Sequence, residues 1–179
     1  MKTTLRELNE LKKYNSFNLN KLTSNLGTDD LNTEVTILEI LNSNGIIDAL
    51  YALGTQKYKD YCLFNADVAE SVLHIFEDEY PDDDRPRKAI EGIRLFHSGK
   101  ITKGDLNNID YCVYSVIDTT YHAAIHNSIF SAYNTAREAV DCVVHSSDIN
   151  SRVEKWKEIE VLLRKHLKYN LLDEDLFII

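Results

Sequence analysis

Both prolines of this 179-residue chain, Pro81 and Pro86, fall in one short stretch, and only six glycines are spread over the chain. A β-rich or loop-rich protein needs many turns, and turns draw on Pro and Gly. A chain this poor in both is expected to be an all-α bundle of about seven or eight helices. Its length suits a single domain with one core. Residues 1–54 read as N-terminal helices and a loop, 55–170 as the main bundle, and 171–179 as an apolar-acidic tail.

Periodicity and capping signals place the elements. Thr4-Leu5-Arg6-Glu7 fits a capping box, followed by Leu5, Leu8, Leu11 and Tyr14 at helical spacing, so a first helix is expected to about Tyr14. Residues 15–33, rich in Asn, Thr, Ser and Asp, read as a long connection with one short turn near Leu19 to Leu26. Thr33 is placed to cap Val35 to Leu41, and a second short helix, Ile46 to Leu53, is bounded by Gly45 and Gly54. The pair reads as a helical hairpin, with a β-hairpin as the alternative because Val35, Ile37 and Ile40 are β-branched.

Gln56 to Tyr80 reads as a long amphipathic helix with Tyr61, Phe64, Val68, Val72, Ile75 and Phe76 inside. Asp60, Asp67, Glu70, His74 and Glu77 fall on its other face. Pro81 stops it, Asp84 is a natural N-cap and Pro86 an N1 residue for the next helix. Ala89, Ile90, Ile93 and Phe96 face inward there, and Gly99 ends it. Asp105 is positioned to cap the proline-free run from Gly104 to Ser147, which is expected to form two helices or one kinked helix. A last helix, Ile149 to Tyr169, places Val153, Trp156, Ile159, Leu163 and Leu167 inside. Its Arg152, Lys155, Lys157, Arg164, Lys165 and Lys168 read with Glu154, Glu158 and Glu160 as an exposed face.

The net charge of −9 is concentrated. Residues 60–84 hold nine acids and no Lys or Arg, and residues 85–104 hold six bases against Glu91 alone. This leaves no basic stripe for nucleic acid, so direct nucleic-acid binding is not expected. The first residues lack an apolar signal region, and no apolar run spans a bilayer, so neither secretion nor a membrane is expected. Cys62, Cys112 and Cys142 are odd in number and unpaired by spacing, which reads as buried reduced thiols in a cytosolic protein.

Candidate chemistry is sparse. Nucleophile elbows, Walker loops and dinucleotide motifs are all missing, so neither an enzyme nor a cofactor is expected. His122 and His126 stand at i and i+4, a spacing that can chelate a metal, with His145 or Asp118 as conceivable further ligands; satisfied bundle positions are the preferred reading, and a metal-dependent enzyme is the remote alternative. Tyr111, Tyr114, Tyr121 and Tyr133 read as core aromatics before an aromatic binding face. The acidic stretch has two compatible readings. In one, the acids favour a helix start and Arg85 or Arg87 pairs back onto Glu77 or Glu79. In the other, Asp67, Glu70, Glu77, Asp78, Glu79, Asp82, Asp83 and Asp84, edged by Arg85 and Arg87, form a patch that docks on a basic partner. Residues 176–179, Leu-Phe-Ile-Ile, either pack on the core or form a homodimer contact.

The run Ala66-Asp67-Val68-Ala69-Glu70 through Glu77, then Pro81-Asp82-Asp83-Asp84-Arg85-Pro86-Arg87-Lys88-Ala89-Ile90-Glu91, with Phe96 and Gly99, resembles a group of small helical bacterial and phage proteins known as Imm-5-like immunity proteins. The resemblance covers about 40 residues and thins from Leu106 to Val144, where Tyr, Ile, Ser and Asn replace the group's alanines. It implies an all-helical fold, a toxin-neutralising role and no established catalytic residues. The expected protein is therefore a non-enzymatic inhibitor whose partner, a toxin or a defence-system effector, offers a basic surface. The group's phage members imply a second reading, a counter-defence inhibitor of the anti-CRISPR type with a nucleic-acid-mimicking acidic surface.

Overall fold

The computed structural model describes residues 1–13, 15–107, 131–146 and 149–175. Among these the chain forms β1 (Lys2–Thr4), α1 (Leu5–Leu11), α2 (Leu19–Leu26), β2 (Glu34–Thr36), α3 (Ile37–Asn44), α4 (Ile46–Leu53), α5 (Tyr58–Glu79), α6 (Arg85–His97), α7 (Lys103–Asn107), α8 (Ser131–Ser146) and α9 (Ile149–Asp175). The all-α expectation holds, with nine helices among the described residues in place of seven or eight. None of the described helices is long and apolar enough to cross a membrane.

The N-terminal elements are short and closed by hydrogen bonds to their own ends. Thr4 Oγ1 accepts from Glu7 N at 3.2 Å while the Glu7 carboxylate accepts from Thr4 N at 3.0 Å, the reciprocal capping box. α1 stops at Leu11, short of Tyr14, which lies outside the described residues. A second box, Thr36 with Glu39, starts α3. The helix therefore begins two residues later than expected, and Thr36, not Thr33, caps it. The reason is that Val35 is taken up as a strand residue: β1 and β2 run antiparallel with Thr3 opposite Val35, which places Val35 in the core at 1% exposure. Glycines bound α4 as expected, and Asp48, almost buried within it, accepts from Asn18 N at 3.0 Å and Asn44 Nδ2 at 2.7 Å, tying the start of α2 to α4. Phe17, in the stretch read as a polar connection, is a core residue.

One apolar cluster extends from Leu5 of α1 to Leu167 of α9. α5 is its spine: it packs against α6, α8 and α9 with Tyr61, Phe64, Val68, Val72 and Phe76 buried and Ile75 half-buried. Pro86 is the second residue of α6, not the first, and Asp84 occupies the N-cap position without a side-chain capping bond. At the other end Gly99 (φ 75°) lets its own N–H reach Phe96 O and that of Lys100 reach Leu95 O, a Schellman closure that needs a left-handed residue. Thr102 caps α7, and Asp105 serves as the third helical residue of that capping box instead of as the cap. Residues 108–130 lie outside the described residues, so the one-helix or two-helix question for the long proline-free run does too.

α9 extends six residues past Tyr169 to Asp175. Its inner stripe is Ile159, Leu163 and Leu167 with Trp156 half-buried, but Val153 is 52% exposed and Lys155 is buried. Lys155 Nζ donates to Ser71 O (3.2 Å), Ser71 Oγ (3.1 Å) and Glu158 Oε2 (2.8 Å). A lysine whose donors are satisfied in this way can lie along an apolar contact with its stem buried. Eleven residues further along α9, His166 Nε2 lies 3.0 Å from Asp60 O, and its ring faces Phe64 at 6.2 Å.

Candidate partner-binding surface

The acidic stretch and the basic stretch that follows it fold onto each other. The turn at Pro81 reverses the chain, so α6 lies along α5 and sets its bases against the acids of α5. Arg94 makes a two-pronged contact with Glu70, Nη1 to Oε1 at 3.1 Å and Nη2 to Oε2 at 2.5 Å, and Nη2 also reaches Asp67 Oδ1 at 3.0 Å. Arg87 grips Glu77 in the same way, Nε to Oε1 at 2.7 Å and Nη2 to Oε2 at 2.6 Å. Parallel N–H···O bonds of this kind fix orientation as well as charge. At the turn Arg85 pairs with both oxygens of Asp83, and Lys88 with Asp84 at 2.8 Å.

These contacts move protons as expected. Hydrogen bonds from Arg94 hold the Glu70 carboxyl below its ordinary value, and those from Arg85 draw Asp83 down to about 2. Glu70 and Asp67 in turn make Arg94 harder to deprotonate. Asp67, Glu70, Glu77, Asp83 and Asp84 are thus neutralised within the molecule. Of the nine acids, Asp60, Asp78, Glu79 and Asp82 keep carboxylates in no ion pair among the described residues. The last three crowd one exposed corner, the end of α5 and the turn into α6.

Tyr80 stands among them, 48% exposed, its ring tilted against Phe76 at 5.0 Å between centroids. The corner is braced from below: Tyr80 N–H bonds Phe76 O at 2.8 Å, Asp83 N–H bonds Tyr80 O at 3.1 Å, and Pro86 is buried beneath. Three unneutralised carboxylates around an exposed aromatic are therefore held by a rigid turn. Of the ten residues expected to form the patch, the structure leaves Asp78, Glu79 and Asp82 available and commits Asp67, Glu70, Glu77, Asp83, Asp84, Arg85 and Arg87 to one another or to Arg94 and Lys88. Sequence reasoning missed Arg94 and Tyr80. The spacing of Asp67, Glu70 and Arg94 carried a signal for the first, since the Pro81 turn brings residues about equally far from it side by side.

Other candidates bear little chemistry. Among the described residues no group of three or more His, Cys, Asp or Glu could hold a metal ion. His122, His126, Asp118 and the side chain of His145 lie outside the described residues, as do Cys112, Tyr111, Tyr114, Tyr121, residues 176–179 and the side chain of Cys142. Tyr133 is described, and it stacks on buried Tyr51 at 4.5 Å, so it joins α8 to α4. Cys62 is a thiol fully buried on α5, and burial pushes its pKa up to about 12, well away from a reactive thiolate.

No curated protein and no solved structure matches the chain. A family model described as Imm-5 like putative immunity protein matches residues 52–109. The chain is thus similar to that immunity family over the segment that carries α5, the acidic corner, α6 and α7.

Proposed function

We propose that this protein is a non-enzymatic inhibitor that binds a protein with a basic surface, in the manner of a toxin-immunity protein, through the corner formed by Asp78, Glu79, Tyr80 and Asp82. The observation that carries this reading is the selective neutralisation of the acidic stretch. Where α5 and α6 run side by side, Arg87 and Arg94 cancel the carboxylates, and at the turn Arg85 and Lys88 cancel Asp83 and Asp84; Asp78, Glu79 and Asp82 enter no ion pair among the described residues. Unpaired surface carboxylates on a rigid turn steer a cationic partner and set its orientation. An exposed tyrosine supplies the amphipathic anchor that such contacts favour. The match to the immunity family covers the same segment and supports the same reading.

The test separates the corner from the paired acids. Wild-type protein and the variant Asp78→Lys/Glu79→Lys/Asp82→Lys are immobilised and challenged with a lysate of the native host. Retained polypeptides are then expressed with and without the wild-type chain. The expected result is a polypeptide at least about tenfold depleted on the variant, inhibitory to growth alone and harmless when the wild-type chain is co-expressed. Equal retention on both matrices would remove the corner from the function.

A further inference from the structure

A second surface has the opposite character. On α9, Val153 (52% exposed), Lys157, Val161 (65% exposed) and Lys165 follow one another at intervals of four, with Lys168 three residues on, so they share one side of the helix. Among the described residues none of these three lysines enters an ion pair, and Glu158 pairs with Lys155 and Glu160 with Arg164, each at 2.8 Å. Two exposed valines set between unpaired cations form a stripe that is both apolar and positive.

The acidic corner complements this stripe in charge and in character, three carboxylates around Tyr80 against three lysines around two valines, none of the six in an ion pair among the described residues. Within one molecule the lysines of the stripe cannot close on the corner. Lys155 lies against Ser71 and His166 against Asp60, so α9 runs antiparallel to α5 with paired positions that sum to 226 in both cases. Asp78 is then level with the start of α9, Lys157 is level with Ala69 and Lys165 with Tyr61, about 14 and 25 Å away along the axis at 1.5 Å per residue. A lysine side chain bridges neither gap.

We infer that the outward face of α9 is a docking surface for a second copy of this chain, which presents its α5–α6 corner to the stripe. Because corner and stripe sit at separate places on each chain, a two-fold arrangement satisfies both contacts at once. Burial of Val153, Val161 and Tyr80 drives the contact, and the charges set its register.

The experiment is a charge swap followed by sedimentation equilibrium of the full chain at low ionic strength, up to about 1 mM. The wild type is expected to rise with concentration above its monomer mass of 20.6 kDa. The variants Asp78→Lys/Glu79→Lys/Asp82→Lys and Lys157→Glu/Lys165→Glu/Lys168→Glu, each with wild-type circular dichroism, are expected to stay monomeric alone and to associate when mixed. Should a triple variant misfold, Val161→Ser tests the same face and is expected to weaken association about tenfold. A monomeric wild type, or a charge-reversed pair that fails to associate on mixing, overturns the inference. A second copy and the basic partner would exclude each other at the shared corner; capture of a host protein is measured separately, so a monomeric wild type would leave the partner-binding proposal standing.

Discussion

Residues 1–54 and the α5–α6 hairpin both hold short spans of chain in place, but with different chemistry. In the N-terminal unit most polar contacts reach four residues or fewer along the chain, as in the Thr4–Glu7 and Thr36–Glu39 boxes, and the helices they close are seven or eight residues long. Helices that short are marginal alone, so caps and a shared core of Leu and Ile must carry them. In the hairpin the polar contacts reach 10, 24 and 27 residues, from Arg87 to Glu77 and from Arg94 to Glu70 and Asp67. They join half-exposed side chains and contribute little energy. Their effect is to select which carboxylates remain available. Caps set stability in the first unit, and ion pairs set the surface of the second.

That contrast can be broken by experiment. The largest effects should come from the core that the two regions share: Leu8→Ala and Phe64→Ala, both at 0% exposure, are each expected to destabilise by about 3–4 kcal/mol in chemical denaturation. A much smaller loss for Leu8→Ala would mean that the N-terminal unit is not integrated with α5. Next, Thr36→Ala should lower stability by about 1 kcal/mol. Arg94→Gln should lower it by less, under about 1 kcal/mol, since Arg94, Asp67 and Glu70 are 38%, 41% and 46% exposed. The reverse order would show that the charge contacts are structural after all.

The smallest effects concern acid. Thr3 and Thr4 hold the Glu7 carboxyl below the ordinary value of 4.5, and Arg94 does the same for Glu70. A depressed carboxylate contributes stability that is complete above its unfolded value and is lost as pH falls through the folded one. Stability should therefore decline below pH 4.5, and Glu7→Gln and Glu70→Gln should each flatten that decline. Denaturation repeated at about 1 M salt, where the screening length falls to about 3 Å, should shrink the Glu70 contribution more than that of Glu7. Equal salt sensitivity would erase the distinction between a cap and an ion pair.

Much of the framework is legible in the residues themselves, because punctuation is local. Gly45 and Gly54 bracket α4, Thr4 with Glu7 starts α1, and Pro81 with Gly99 frames α6. The errors fall where a tertiary partner decides. Val35 joins a strand because Thr3 stands opposite, 32 residues earlier. Lys155 looks like one more surface cation until Ser71 offers a carbonyl and a hydroxyl, and Val153 looks apolar enough for the core yet lies on the outward side of the stripe. The acidic stretch was visible as charge. Its division into spent and available carboxylates was not, since that depends on which Arg the turn delivers to which Glu.

The antiparallel seating of α9 on α5 also has a consequence for synthesis. Lys155 follows its partner Ser71 by 84 residues and His166 follows Asp60 by 106. At 5–20 residues per second the ribosome needs about 4 to 17 s to deliver Lys155 after Ser71. During that interval one side of α5 has no cover, whereas Arg87 and Arg94 emerge soon after the acids they bind. The ion pairs, nearly silent in the finished fold, would be the first long-range contacts available to a nascent α5, and they would keep its hairpin solvated until the last helix arrives.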